Sequence, residues 1–182
     1  MRKFALLGVF MLVLCSFLQD NSVLWAESRK LTWSDFQGKP DESSPFKART
    51  ESNLDIQVST KGMDATLTMQ TSFNKTASWV KTQTDLLLKH EQTHFDIAEL
   101  WTRKFKQKLK GKTFPVKTFQ SALNEMHRDI QREGKAMQAL YDKETNHSIN
   151  EKEQAIWTKK VTADLKSLSE FVGPSVTCKL SK

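Results

Sequence analysis

From Phe46 to Val58 the chain alternates apolar and polar residues, with Phe46, Ala48, Leu54, Ile56 and Val58 on one parity. Leu67, Met69, Thr71 and Phe73 repeat that period after Lys61-Gly62-Met63-Asp64. Two such runs around a glycine turn predict a β-hairpin with one buried face. After Thr76 to Ser78, which offer capping residues, the period becomes helical and holds until Gly111 and Pro115 interrupt it, predicting one long helix. A second helix is expected from about Thr118 to Tyr141, because Phe119, Leu123, Met126, Ile130, Met137 and Tyr141 share a face. Asn150 followed by Glu153 has the form of a helix start, and Trp157, Val161, Leu165 and Leu168 carry a third apolar stripe. Residues 27–45 are polar and turn-rich, with Trp33 and Phe36 as isolated anchors. The expected fold class is α+β: a small antiparallel sheet followed by a three-helix bundle, in one domain spanning residues 27–182.

The first 26 residues follow a different logic. Met1-Arg2-Lys3 is positive, Phe4 to Leu18 is almost wholly apolar, and Asp20 to Ala26 turns polar and ends in a small residue. This is the form of a secretory signal peptide, with cleavage expected after Ala26. The apolar run is short of the roughly 20 residues a spanning helix needs, and no later run is longer, so no transmembrane segment is expected in the mature chain. A periplasmic or extracellular location follows. The alternative is a lipoprotein anchored at Cys15, because Leu12-Val13-Leu14-Cys15 has part of a lipobox.

Composition narrows the chemistry. Two cysteines, Cys15 and Cys178, are too few for a disulfide framework or a four-cysteine zinc module, so any metal must be held by His and carboxylates. The formal charge is +7, from 28 Lys+Arg and 21 Asp+Glu. Its one dense basic stretch, Arg103-Lys104 to Lys112, reads as a solvated helix end. No nucleic-acid module is present in the pattern, and a monomer is expected.

The first predicted helix contains His90-Glu91-Gln92-Thr93-His94. On a helix this spacing sets two imidazoles one turn apart on the same face, able to grip one Zn²⁺, with Glu91 beside them to activate a water. Leu86, Leu87, Ile97, Trp101 and Phe105 cluster around the same direction, so both imidazoles point to the core face, whereas Asp96 and Glu99 project away. A catalytic zinc usually takes three protein ligands. The candidates for the third are His147, in the polar turn after the second helix, then Glu133, His127 and Asp142. Tyr141, the single tyrosine, is placed to donate a hydrogen bond to a developing oxyanion or to serve as a core aromatic.

Leu31-Thr32-Trp33-Ser34-Asp35-Phe36-Gln37-Gly38-Lys39-Pro40, Ser78-Trp79-Val80, Leu87 through Ile97, and Tyr141-Asp142 to His147-Ser148 with Gln154 and Trp157 together resemble a bacterial domain-of-unknown-function family described as predicted secreted zinc-dependent proteases. The resemblance spans essentially the whole mature chain. It implies a zincin-like metallopeptidase fold, zinc on His90 and His94, Glu91 as catalytic base, and, through the Tyr-Asp-x-Glu-Thr-x-His turn, His147 as third ligand. The expected function is peptide-bond hydrolysis, with Glu91 taking a proton from the attacking water and returning it to the leaving amine. A peptide or protein substrate would enter by strand addition at an exposed edge of the Leu67–Phe73 hairpin. The rival expectation is a non-catalytic envelope protein in which zinc or the His pair stabilises the bundle and the basic surface binds an anionic polymer or a partner protein.

Overall fold

The computed structural model describes residues 21–182. The positive start, the apolar run and Cys15 lie outside the described residues.

The predicted hairpin forms as β3 (Ser52–Lys61) and β4 (Asp64–Asn74), after the short strands β1 (Ser22–Leu24) and β2 (Ala48–Arg49). The β3–β4 register runs from Ser52↔Phe73 to Lys61↔Asp64, and only Gly62 and Met63 connect the strands. Gly62 has φ +62°, the left-handed conformation that glycine adopts without a Cβ penalty. β4 is the axis of the sheet, and its Ala65, Leu67, Met69, Thr71 and Phe73 are buried on alternate positions, with Ser72 buried as well.

Two further strands meet the far edge of β4. β1 pairs with residues 72–74, and a C-terminal strand, Ser175–Ser181, pairs antiparallel with residues 64–68. Along the chain come β5 (Trp79–Val80), which pairs with β2, then helix α1 (Asp85–Leu109), β6 (Thr113–Pro115), α2 (Phe119–Thr145), α3 (Glu151–Ser167) and the C-terminal strand as β7. β6 lies parallel to β7 and closes that side of the five-stranded sheet. The α+β class and the three helices agree with the expectation from periodicity; β6 and β7 enlarge the sheet beyond the predicted hairpin. Both flanks of the central strand are thus occupied. The open edge of the hairpin is that of β3, which pairs with β4 alone among the described residues.

α1 starts where Thr84 accepts a hydrogen bond from the Leu87 amide, and α3 starts where Asn150 accepts one from Glu153. One cluster, with Leu67, Met69, Phe105, Leu109 and Ile130, joins sheet to α1 and α2. A second, with Ile97, Leu100, Tyr141, Trp157 and Val161, joins the three helices. A third, with Val23, Leu31, Phe36, Phe73 and Phe95, pins the irregular arm. Trp33 packs on Phe36 at 5.1 Å, as the anchoring role requires.

Two details differ from expectation. Residues 22–25, inside the segment assigned to the signal, are built into the fold: the Trp25 amide donates to the Thr71 carbonyl and its indole to Asp96. The basic stretch is also not uniformly solvated. Arg103 and Lys106 are buried: Arg103 bonds Glu99 and the Leu165 carbonyl, while Lys106 donates to the carbonyls of Phe171 and Gly173. Burial without full ion pairing holds the Lys106 ammonium below its ordinary pKa. No helix among the described residues is long and apolar enough to cross a membrane.

Candidate metal centre

α1 and α2 run antiparallel, because His90 meets Asp142 while Trp101, further along α1, meets Gly134. The HExxH segment sits in the N-terminal half of α1, where its histidines face α2. His90 Nε2 lies 3.1 Å from Asp142 Oδ1, His94 Nε2 lies 2.9 Å from the same oxygen, and the two Nε2 atoms are 3.1 Å apart. Three ligand atoms therefore form a small triangle, and among the described residues this is the one group of His and carboxylates close enough to hold a metal ion.

The opposite ring nitrogens decide what those atoms can be. His94 Nδ1 is 2.5 Å from Gln138 Oε1, and the Gln138 amide nitrogen is committed to the His94 carbonyl, which fixes the oxygen toward the ring. His90 Nδ1 is 3.0 Å from Gln154 Oε1, which also accepts from the Tyr141 hydroxyl. In a neutral imidazole each Nδ1 would then be the N–H donor and each Nε2 would carry a lone pair. Two lone pairs then converge on a carboxylate oxygen with no hydrogen between them. Such a set needs a cation, either a proton or a metal. For metal–ligand bonds of about 2.0 Å in a tetrahedron, neighbouring ligands stand about 3.3 Å apart, close to this triangle.

The electrostatics agree. Burial works against a charged His94, yet the Asp142 hydrogen bond and the charges of Glu91 and Asp142 outweigh it and raise its pKa above the ordinary value. Burial would push Asp142 up, but when the two Nε2 atoms carry protons their hydrogen bonds and charge hold its carboxyl well below the usual carboxylate range. This corner of the cleft is built to concentrate positive charge.

The other candidates fall into place around it. Glu91, only 4% exposed, lines the same cleft as His90, His94 and Asp142. His147 stands at the rim, about half exposed, with Nδ1 3.6 Å from Asp142 Oδ1 and its ring 4.9 Å from Phe46. It lies in a turn in which Asn146, His147 and Ser148 all have positive φ. The structure thus brings Asp142, not His147, into the triangle. Glu133 pairs with Lys108 on the surface, and His127 stacks on Phe105 in the core, so neither reaches the site. Tyr141 is fully buried and stacks on the His90 ring at 4.6 Å, with its hydroxyl on Gln154 and the His90 carbonyl. From there it supports the imidazole and does not face an oxyanion in the cleft.

Periodicity did not single out the two glutamines. Gln138 and Asp142 stand one turn apart on α2, a spacing that matches His90 and His94 once the helices are set antiparallel. The cleft itself, about 1040 Å³, passes between α1, α2 and the first residues of β3.

A family described as "Bacterial protein of unknown function (DUF922)" matches residues 29–148, and the chain belongs to that family. The matched stretch includes His90, Glu91, His94 and Asp142; α3 with Gln154, and β7, lie beyond it. Neither the curated proteins nor the solved structures give a match.

Proposed function

We propose that this member of the DUF922 family is an exported, zinc-dependent metallopeptidase of zincin-like fold, with His90, His94 and Asp142 as protein ligands and Glu91 as general base. The observation that carries the reading is the convergence of three lone-pair atoms, each Nε2 aimed by a glutamine behind it, beside a buried glutamate on an open cleft. Zinc held there would polarise a carbonyl and lower the pKa of a water. The chain's own residues do the rest. Gln138 and Gln154 fix the ring orientations, as carboxylate or amide partners of metal-binding histidines generally do. Glu91 takes the proton of the attacking water and hands it to the leaving amine. The open edge of β3 offers backbone groups to an extended polypeptide beside the site.

A purely structural metal is the less favoured role, because structural zinc sites are closed by four protein ligands whereas this triangle supplies three and borders a cleft. The test is the metal content of the purified protein together with hydrolysis of an unfolded protein substrate. About one zinc per chain is expected, and Glu91→Gln should keep the metal and lose hydrolysis. Undiminished hydrolysis in that variant would remove Glu91 from the mechanism; a metal-free protein with His90 and His94 intact would remove the zinc.

A further inference from the structure

The end of the sheet away from the cleft gathers three strand ends at one level. β3 turns into β4 through Gly62 and Met63, and β7 arrives beside that turn with the Leu180 amide on the Met63 carbonyl. β6 runs parallel to β7 and leads past it into the short helical turn Val116–Thr118. Asp64 faces Lys179 across one ladder and Lys179 faces Thr113 across the next, so at two strand spacings the ends of β4 and β6 stand about 10 Å apart. Two large apolar side chains are exposed here: Met63 at 41% and Val116 at 53%. Neither belongs to a core cluster. Lys61, Lys112, Lys117 and Lys179 are exposed around them. Within residues 59–66, 111–119 and 177–181 Asp64 is the sole acidic side chain, and it pairs with Lys179. Lys61, Lys112 and Lys117 make no ion pair among the described residues.

We propose that this end of the sheet docks on a membrane surface rich in anionic phospholipid, with Met63 and Val116 entering the headgroup layer and the four lysines over the phosphates. The inference goes beyond the peptidase reading and needs neither metal nor hydrolysis. Isolated exposed apolar side chains are ordinary on a protein surface; what sets these apart is their place on two neighbouring turns inside a ring of lysines. The charge names the sign of the partner, and the apolar tips name its form. A soluble polyanion would satisfy the lysines and leave Met63 and Val116 in water. A bilayer interface takes both, because apolar side chains enter it while the long lysine stems carry their ammonium groups at the level of the phosphates. The geometry keeps the candidate site free. From Lys61 back to Ser52, which lines the cleft, β3 spans about 30 Å, so a molecule standing on this end holds its cleft open to the solution.

The experiment measures vesicle binding and leaves the metal corner untouched. The processed protein is recovered after export, with Cys15→Ser in the precursor so that no lipid is attached. It is sedimented with vesicles of phosphatidylcholine alone or with about one third phosphatidylglycerol. Binding is expected to the anionic vesicles only, at about 0.1 M salt, and to be lost near about 1 M, where the screening length is shorter than a side chain. Lys61→Gln/Lys112→Gln/Lys117→Gln should weaken it on the order of a hundredfold, from roughly fivefold per lysine. Met63→Ser/Val116→Ser should weaken it roughly tenfold. All five positions are exposed, so both variants are expected to melt as the native chain does. No binding to either vesicle, equal binding to both, or full binding by the lysine variant would overturn the proposal. Vesicle binding indifferent to the apolar pair would overturn the insertion of Met63 and Val116. Heparin supplies the contrast: binding to it that falls in the lysine variant, ignores the apolar pair and has no vesicle counterpart would assign the surface to a soluble polyanion instead.

Discussion

At the level of single residues the site is defined less by its histidines than by what stands behind them. An imidazole is a metal ligand only at the nitrogen left without a proton, and here two glutamine oxygens take the Nδ1 protons. Gln138→Ala and Gln154→Ala are each expected to weaken zinc binding roughly 10- to 100-fold, read by competition with a chelating dye. Asp142→Ala should abolish stoichiometric zinc, whereas His147→Ala should retain it, which separates the two candidates for third ligand. Asp35 supplies a residue-level test of pH. Burial opposes its charged form, but Arg29 and the amide and hydroxyl of Thr32 bond its carboxylate and hold its pKa below the ordinary value. A carboxyl with a depressed folded pKa stabilises the fold fully above the unfolded pKa and loses that contribution as pH falls through the folded value. Asp35→Asn should therefore lower the melting temperature at pH 6 and make little difference near pH 2, as followed by circular dichroism.

At the level of elements, β1 carries the sharpest expectation. Val23 is buried among Leu31, Phe36, Phe73 and Phe95, and Trp25 lies under the Arg103 guanidinium at 4.9 Å with its indole on Asp96. A chain beginning at Glu27 should be less stable than one beginning at Asn21 by on the order of 3 kcal/mol in urea unfolding, chiefly through loss of these two side chains. Equal stability would mean that β1 is dispensable. The hairpin and helices were legible in the sequence because each has a buried face whose period survives in Leu67, Met69 and Phe73 or in Trp157, Val161 and Leu165. β7 was less so: Val176, Cys178 and Leu180 alternate, but their partner in β4 lies far earlier in the chain, and pairing at that range leaves no local mark. Asp142 was misplaced for a related reason. The helix continues through the polar Asp142-Lys143-Glu144-Thr145 to the left-handed cap at Asn146, so a residue read as part of a turn belongs to the helical face opposite His90. The HExxH spacing made the metal corner visible; the contacts across three helices that complete it have no sequence period.

At the level of the whole molecule, the cleft lies between a sheet edge and a helix pair, and a metal held by His90, His94 and Asp142 would tie α1 to α2. Its removal by a chelator is expected to lower the melting temperature by several degrees, reversed by added zinc, and Asp142→Ala should remove that response. The sheet reaches across the chain's length, since the last strand covers the central one. Cys178 sits in that strand, 1% exposed, with its sulfur against the Ala65 carbonyl. Burial pushes its thiol pKa up, which further suppresses the thiolate. In a chain whose other cysteine, Cys15, has been replaced by serine, alkylation of this thiol then requires the closing strand to detach. The labelling rate becomes a clock for opening of the sheet, readable by mass in dilute mixtures where no spectroscopic signal survives.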